Sequence, residues 1–154
     1  STWDTPPVRG NLVKVQPALD PTAFSWITTR IITYTEQYSL PYQVQDALQH
    51  VTTTQYESTW NLYPLTVTNA LNQSTVTDYD YLLGKPTSVT GPNGASTTVS
   101  YEYDTLGRLV SVIRPGDSSQ YPTLTYDYCD ACTPLRIATG ERVTSGQAAR
   151  SRWG

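Results

Sequence analysis

Residues Ser96–Gly116, STTVSYEYDTLGRLVSVIRPG, decide how the rest of the chain is read. Val99, Tyr101 and Tyr103 alternate with Thr98, Ser100, Glu102 and Asp104, so an extended segment has one apolar, aromatic face and one polar face. This is the pattern of a half-buried β-strand. Thr105-Leu106-Gly107 supplies a turn whose glycine tolerates positive φ, and Leu109 to Arg114 resumes a run of branched residues that Pro115-Gly116 stops. The unit is a β-hairpin.

Working outward, the same unit recurs. Aligning second strands on one branched residue gives Val15, Val44, Val67, Val89, Val112 and Ile137, with spacings of 29, 23, 22, 23 and 25 residues. A period this steady marks an internal repeat. First-strand partners lie upstream as Ile32 and Tyr34, Thr54 and Tyr56, Thr77 and Tyr79, Tyr101 and Tyr103, and Tyr126 and Tyr128, giving five hairpins. Pro41, Pro64 and Pro86 are expected to open second strands, where a missing N–H costs least. Asn93-Gly94 reads as a type I′ turn between units, with Asn69-Ala70-Leu71-Asn72 and Asp46-Ala47-Leu48-Gln49 as weaker turns at matching offsets. Tyr79-Asp80 stands one residue further from Gly84 than Tyr103-Asp104 does from Gly107, which predicts an inserted residue in a bulged turn. The long Gln16–Thr28 connection is expected to bulge from the sheet. Beyond Leu135–Ala138, Thr139-Gly140 offers a turn and Arg142-Val143-Thr144 a last short strand.

Tyr101, Tyr103, Asp104, Gly107, Arg108 and Leu109 spell Y-x-Y-D-x-x-G-R-L, with Val112 completing the second strand. The segment resembles the YD-repeat, or Rhs, family. That resemblance implies tandem copies forming long antiparallel sheets that spiral into a shell, as in toxin-complex cocoons, polymorphic toxins and teneurin ectodomains. The expected fold is therefore all-β, with antiparallel hairpin repeats of about 22–25 residues forming a continuous twisted sheet or partial shell. Its organisation reads as an irregular arm over 1–9, a hairpin array over 10–144 and a polar tail over 145–154 leading to a next unit or a neighbouring chain.

Composition agrees with strands. Among 154 residues there are 25 Thr and 12 Tyr against one Phe, no Met and two Lys. A net charge of -3 argues against a nucleic-acid grip, which needs clustered Lys and Arg. No apolar run approaches the roughly 20 residues of a membrane-spanning helix. There is no leader-like start, so the chain reads as a mature product or a segment of a larger repeat protein.

Residues with chemistry are few. Cys129-Asp130-Ala131-Cys132 stands where a turn glycine is expected; such a pair is open to a redox couple, half a zinc site, free thiols or a local disulfide. Four protein ligands for zinc are lacking and no helix N-terminus is predicted to activate a thiol, so the stapled turn is favoured. His50 has no triad around it. Asp78 and Asp80 share a strand side and are open to weak calcium binding or to acting as an acid pair, while the repeat Asp is expected to accept hydrogen bonds in its own turn. Asn72-Gln73-Ser74 is a glycosylation sequon, with Asn72 the acceptor. Asp20-Pro21-Thr22-Ala23 lacks the glycine of the D-P-x-G motif with which some Rhs proteins cleave themselves, so that activity is not carried over.

The expectation is a structural repeat with no catalytic, cofactor or metal residues, in a secreted or cell-surface setting. Its partners are copies of itself or adjoining repeats of a parent chain; a glycan or protein ligand on the recurring tyrosines is the alternative.

Overall fold

The computed structural model describes residues 10–20, 22–23, 25–143 and 150–153. The 1–9 arm, Thr144 and most of the 145–154 tail lie outside the described residues. The chain divides into two compact units, Ser1–Ser74 and Thr75–Gly154.

In the first unit, β1 (Lys14–Val15) pairs antiparallel with β4 (Arg30–Tyr34), which is followed in the sheet by β5 (Pro41–Asp46), β6 (Val51–Tyr56) and β7 (Pro64–Thr68). The long connection leaves this sheet, and its β2 (Ala18–Asp20) and β3 (Ser25–Trp26) pair with each other. In the second unit, β8 (Ser74–Asp80), β9 (Lys85–Thr90), β10 (Val99–Tyr103), β11 (Leu109–Ile113), β12 (Leu124–Cys129), β13 (Arg136–Glu141) and β14 (Arg150–Trp153) follow one another as neighbours. Every pairing among these strands is antiparallel. The protein is all-β, built from antiparallel hairpins; the only helical turn among the described residues is the 3-10 segment Gly94–Thr97.

The aligned residues sit opposite their first-strand partners in four hairpins: Ile32 faces Val44, Thr54 faces Val67, Thr77 faces Val89 and Tyr101 faces Val112. Each of these hairpins slips register immediately before its tyrosine, between Thr33 and Tyr34, Gln55 and Tyr56, Asp78 and Tyr79, and Glu102 and Tyr103. The slip leaves one extra second-strand residue, a β-bulge. It sets the tyrosine opposite Pro41, Pro64, Pro86 or Leu109. Proline suits that place because the local ladder bond is already interrupted.

Five details differ from expectation. Asn93 has φ −86° and the N–H of Gly94 donates to the carbonyl of Gly91, so the turn is not type I′; Pro92 fixes a negative φ and only Gly94 is left-handed. Pro86 is the second residue of β9, not its first. Thr139-Gly140 forms no turn but lies inside β13, where unbroken pairing with β12 keeps the strand straight. Arg142 and Val143 are not strand; the strand lies further on, at Arg150–Trp153. In the fifth hairpin Tyr126 faces Thr139, so Ile137 is two places out of the repeat register: the path from Tyr128 to its partner Ile137 is three residues longer than that from Tyr103 to Leu109, and the absent bulge takes one back. The inserted residue before Gly84 is present, and it lies in the turn: the N–H of Gly84 reaches back to the carbonyl of Asp80, four residues away, whereas that of Gly107 reaches Asp104, three away.

Burial is sparse. Among the described residues, Ile32, Val112, Pro122 and Ala138 are buried apolar side chains, and Glu57, Ser111 and Thr123 buried polar ones. Sheets of this kind leave most side chains half-exposed, so cross-strand pairs and turn closures contribute a large share of the stability. Among the described residues, no helix is long and apolar enough to cross a membrane.

Candidate functional site

The recurring site is the joint between one hairpin and the next, and it begins in the turn. Asp104 follows Tyr103 directly, and its Oδ1 accepts from the backbone N–H of Leu106 at 3.0 Å and of Arg108 at 2.8 Å. Gly107 takes φ 74°, left-handed backbone that costs glycine little. The same closure joins hairpins: Asp46 accepts from Leu48 and His50, and Asn69 from Leu71 and Gln73, with Gln49 and Asn72 left-handed in the place of Gly107. The longer turns vary the acceptor. Thr35 Oγ1 accepts from Leu40, Asp80 Oδ1 from Leu82 and Leu83, and the buried Glu57 from Thr59, Trp60 and Leu62. Burial pushes the Glu57 carboxyl upward, but the N–H groups of Trp60, Leu62, Thr59 and Asn61 together hold it below the ordinary range.

Four tyrosines that stand directly before a turn reach the neighbouring hairpin. Tyr34 donates its hydroxyl to the carbonyl of Leu12 at 2.9 Å, Tyr56 to Pro41 at 3.0 Å, Tyr103 to Pro86 at 2.8 Å and Tyr128 to Leu109 at 2.9 Å. The acceptor lies near the start of the preceding second strand each time. Such a bond contributes about 1 kcal/mol net. Burial raises the hydroxyl pKa of Tyr56 and Tyr103, and at Tyr103 the charge of Tyr101 adds to it.

A cation covers the ring from the same side of the joint. Lys85 sits 5.2 Å from the centre of the Tyr103 ring and bonds the carbonyl of Gly107; Arg108 sits 4.3 Å over Tyr128. Arg108 also donates Nε to Asp104 Oδ2 at 2.6 Å and both terminal nitrogens to Asp130, at 2.6 and 3.0 Å. Its pKa is raised, first by Asp130 and then by Asp104. Arg108 therefore ties its own turn to the turn of the following hairpin.

The motif residues thus serve two roles. Tyr103, Asp104, Gly107, Arg108 and Leu109 make this joint, while Tyr101 and Val112 face each other across the hairpin. Cys129 and Cys132 are disulfide-bonded. Asn72 is exposed in its turn, and the hydroxyl of Ser74 bonds that of Thr68. His50 pairs with Asp46 at 3.0 Å, Asp78 accepts from Ser88 at 2.6 Å, and Asp80 is spent on its turn. No group of three or more His, Cys, Asp or Glu able to hold a metal occurs among the described residues.

Sequence reading missed Lys85, Glu57, Asp130 and the pair Asp117–Arg142. Asp117 and Arg142 are ion-paired with side chains 12% and 7% exposed; Thr123 donates to Asp117, and Arg142 donates to the carbonyl of Tyr121. One signal for Glu57 was available: the residues after Tyr34, Tyr56, Tyr79 and Tyr103 are Thr35, Glu57, Asp80 and Asp104, all oxygen acceptors.

No curated protein matches the sequence. The RHS Repeat family model matches residues 79–119, which hold the Tyr103–Arg108 turn and the bulged hairpin that carries it. With its Y-x-Y-D-x-x-G-R-L turn, left-handed glycine and tyrosine joint, this stretch of the chain belongs to the Rhs, or YD-repeat, family.

Proposed function

We propose that the chain is a non-enzymatic structural repeat segment of a secreted or cell-surface Rhs-type protein, whose hairpins continue edge to edge into adjoining repeats or copies of itself. The observation that supports this is the repeated joint. A hydroxyl-to-carbonyl bond of the same kind links hairpin to hairpin at Tyr34, Tyr56, Tyr103 and Tyr128, and nothing in its chemistry limits the number of hairpins that follow one another. β1 has one strand partner, β4, among the described residues, and its unpaired side is a template for another strand. The repeat tyrosines spend their hydroxyls inside the protein, which favours a stabilising ladder over a ligand platform.

The test is the mass of the purified chain by light scattering across a concentration series, with negative-stain images of the same sample. Assemblies that grow with concentration, and that a Val15→Lys substitution at the β1 edge reduces, are expected. A 17.1 kDa particle at every concentration would overturn self-association.

A further inference from the structure

We propose that the Cys129–Cys132 disulfide is a thiol–disulfide exchange site that closes or releases the turn of the fifth hairpin and, with it, the ion pair joining Asp130 to Arg108. Position within the repeat carries the argument. In the first four hairpins the residue after the repeat tyrosine closes the turn through a side-chain oxygen, from Thr35, Glu57, Asp80 and Asp104. In the fifth, the residue after Tyr128 is Cys129, which pairs with Arg136 at the strand end and is bonded to Cys132 across the first half of the turn, where the N–H of Cys132 also reaches the carbonyl of Cys129 at 3.3 Å. A closure that is a hydrogen bond elsewhere is here a covalent bond that a reductant breaks.

The site is open to exchange. Both cysteines are half-buried and the two residues between them, Asp130 and Ala131, are exposed, so a small thiol reaches the sulfurs without unfolding the sheet. A ring holding only two intervening residues restricts the unfolded chain least, which makes the bond less resistant to reduction than one closing a long loop.

Asp130 gives the exchange a consequence. It is one of the two residues inside the ring, and its carboxylate takes both terminal nitrogens of Arg108, whose Nε holds Asp104 and whose plane covers Tyr128. With a dithiol as reductant, one thiolate attacks a cysteine sulfur and the S–S bond breaks, the other cysteine leaving as thiolate and taking a proton. The second thiol of the reductant then displaces the bound sulfur. Two electrons pass to the protein, which ends with two thiols, and the reductant ends as its own disulfide. The freed turn no longer fixes Asp130, and the link between fourth and fifth hairpins loosens.

The experiment treats the oxidised full chain with dithiothreitol in the absence of denaturant, counts thiols by alkylation and mass, and follows backbone amide exchange. Reduction of the folded chain is expected, with exchange of the Cys132 amide, which bonds the carbonyl of Cys129, rising roughly tenfold while the Asp46–His50 turn is unchanged. Asp130→Asn in the oxidised chain is expected to raise exchange at Arg108 and leave exchange of the Cys132 amide unchanged. A Cys129→Ser, Cys132→Ser chain should exchange like the reduced protein without any reductant. The proposal is overturned if the sulfurs react only when the whole sheet unfolds, or if reduction leaves exchange at Cys132 and at Arg108 unaltered.

Discussion

Hairpins β10–β11 and β12–β13 begin with the same tyrosine-led strand and staple to their predecessors through the same hydroxyl, yet they turn by different means. The first has an aspartate, a left-handed glycine and a bulge beside its tyrosine. The second has a disulfide, no left-handed residue between Cys129 and Arg136, and six successive cross-strand pairs from Leu124–Glu141 to Cys129–Arg136 without a slip. The difference shows which features are separable. The bulge does not come from the four-residue left-handed turn alone: the Asp46–Gln49 turn closes the same way with no slip in its ladder, and the longer turns after Tyr34, Tyr56 and Tyr79 keep the bulge. A longer turn closed by sulfur returns in phase. The joint to the preceding hairpin needs only the tyrosine, so it survives the exchange of one turn for the other.

The loop between these two hairpins gives the largest predicted effect. Asp117 and Arg142 hold that loop against the end of β13, and Thr123 completes the arrangement by accepting from the N–H of Arg114 and donating to Asp117. Arg142→Ala leaves the Asp117 carboxylate nearly buried without its cation. The expected loss is about 3–5 kcal/mol, read by urea unfolding. A loss within about 0.5 kcal/mol of zero would mean that the loop holds its place without the pair.

Gly107→Ala is expected to cost about 1–2 kcal/mol, because alanine is strained at φ 74°. An added Cβ would meet Leu83 and Lys85 only at ordinary contact distance, 3.5 and 3.8 Å, so the cost is torsional and not steric. The control lies in the other hairpin: Ala131→Gly in the disulfide turn should gain nothing comparable, since no left-handed residue is needed there. Equal effects of the two substitutions in thermal unfolding would erase the distinction between the turns.

The period-2 tyrosines and the steady spacing made the hairpins legible in the sequence, because alternation and turn residues are local properties. The Asp104 closure was readable for the same reason: acceptor, left-handed residue and donor lie within five positions. Contacts between hairpins were not. Lys85 over Tyr103 and Arg108 to Asp130 span 18 and 22 residues and depend on register, which a bulge shifts by one. The fifth hairpin departs from the spacing for that reason, since Ile137 continues the period while a longer turn without a bulge has moved the pairing by two residues. Asp117–Arg142 gave no periodic signal, as it falls where the repeat is interrupted.

Acid should separate the two turns again, with the smallest effect. Burial pushes the Asp104 carboxyl upward, but the N–H groups of Arg108 and Leu106 and the Arg108 guanidinium outweigh it and hold the pKa below the ordinary 3.8. A group with a folded pKa below its unfolded value adds stability that is complete above 3.8 and fades as pH falls through the folded value. Below that point the Asp104 turn loses its charged acceptor, whereas the sulfur closure at Cys129 has nothing to titrate. Amide chemical shifts of Leu106 and Arg108 should therefore move in acid while that of Cys132 moves less. Asp104→Asn sharpens the test, since Asn69 closes the equivalent turn with a neutral oxygen at 2.9 and 3.0 Å. That variant should keep the turn at neutral pH and lose its acid transition; an unchanged transition would assign it to Asp130, whose carboxyl Arg108 also holds low.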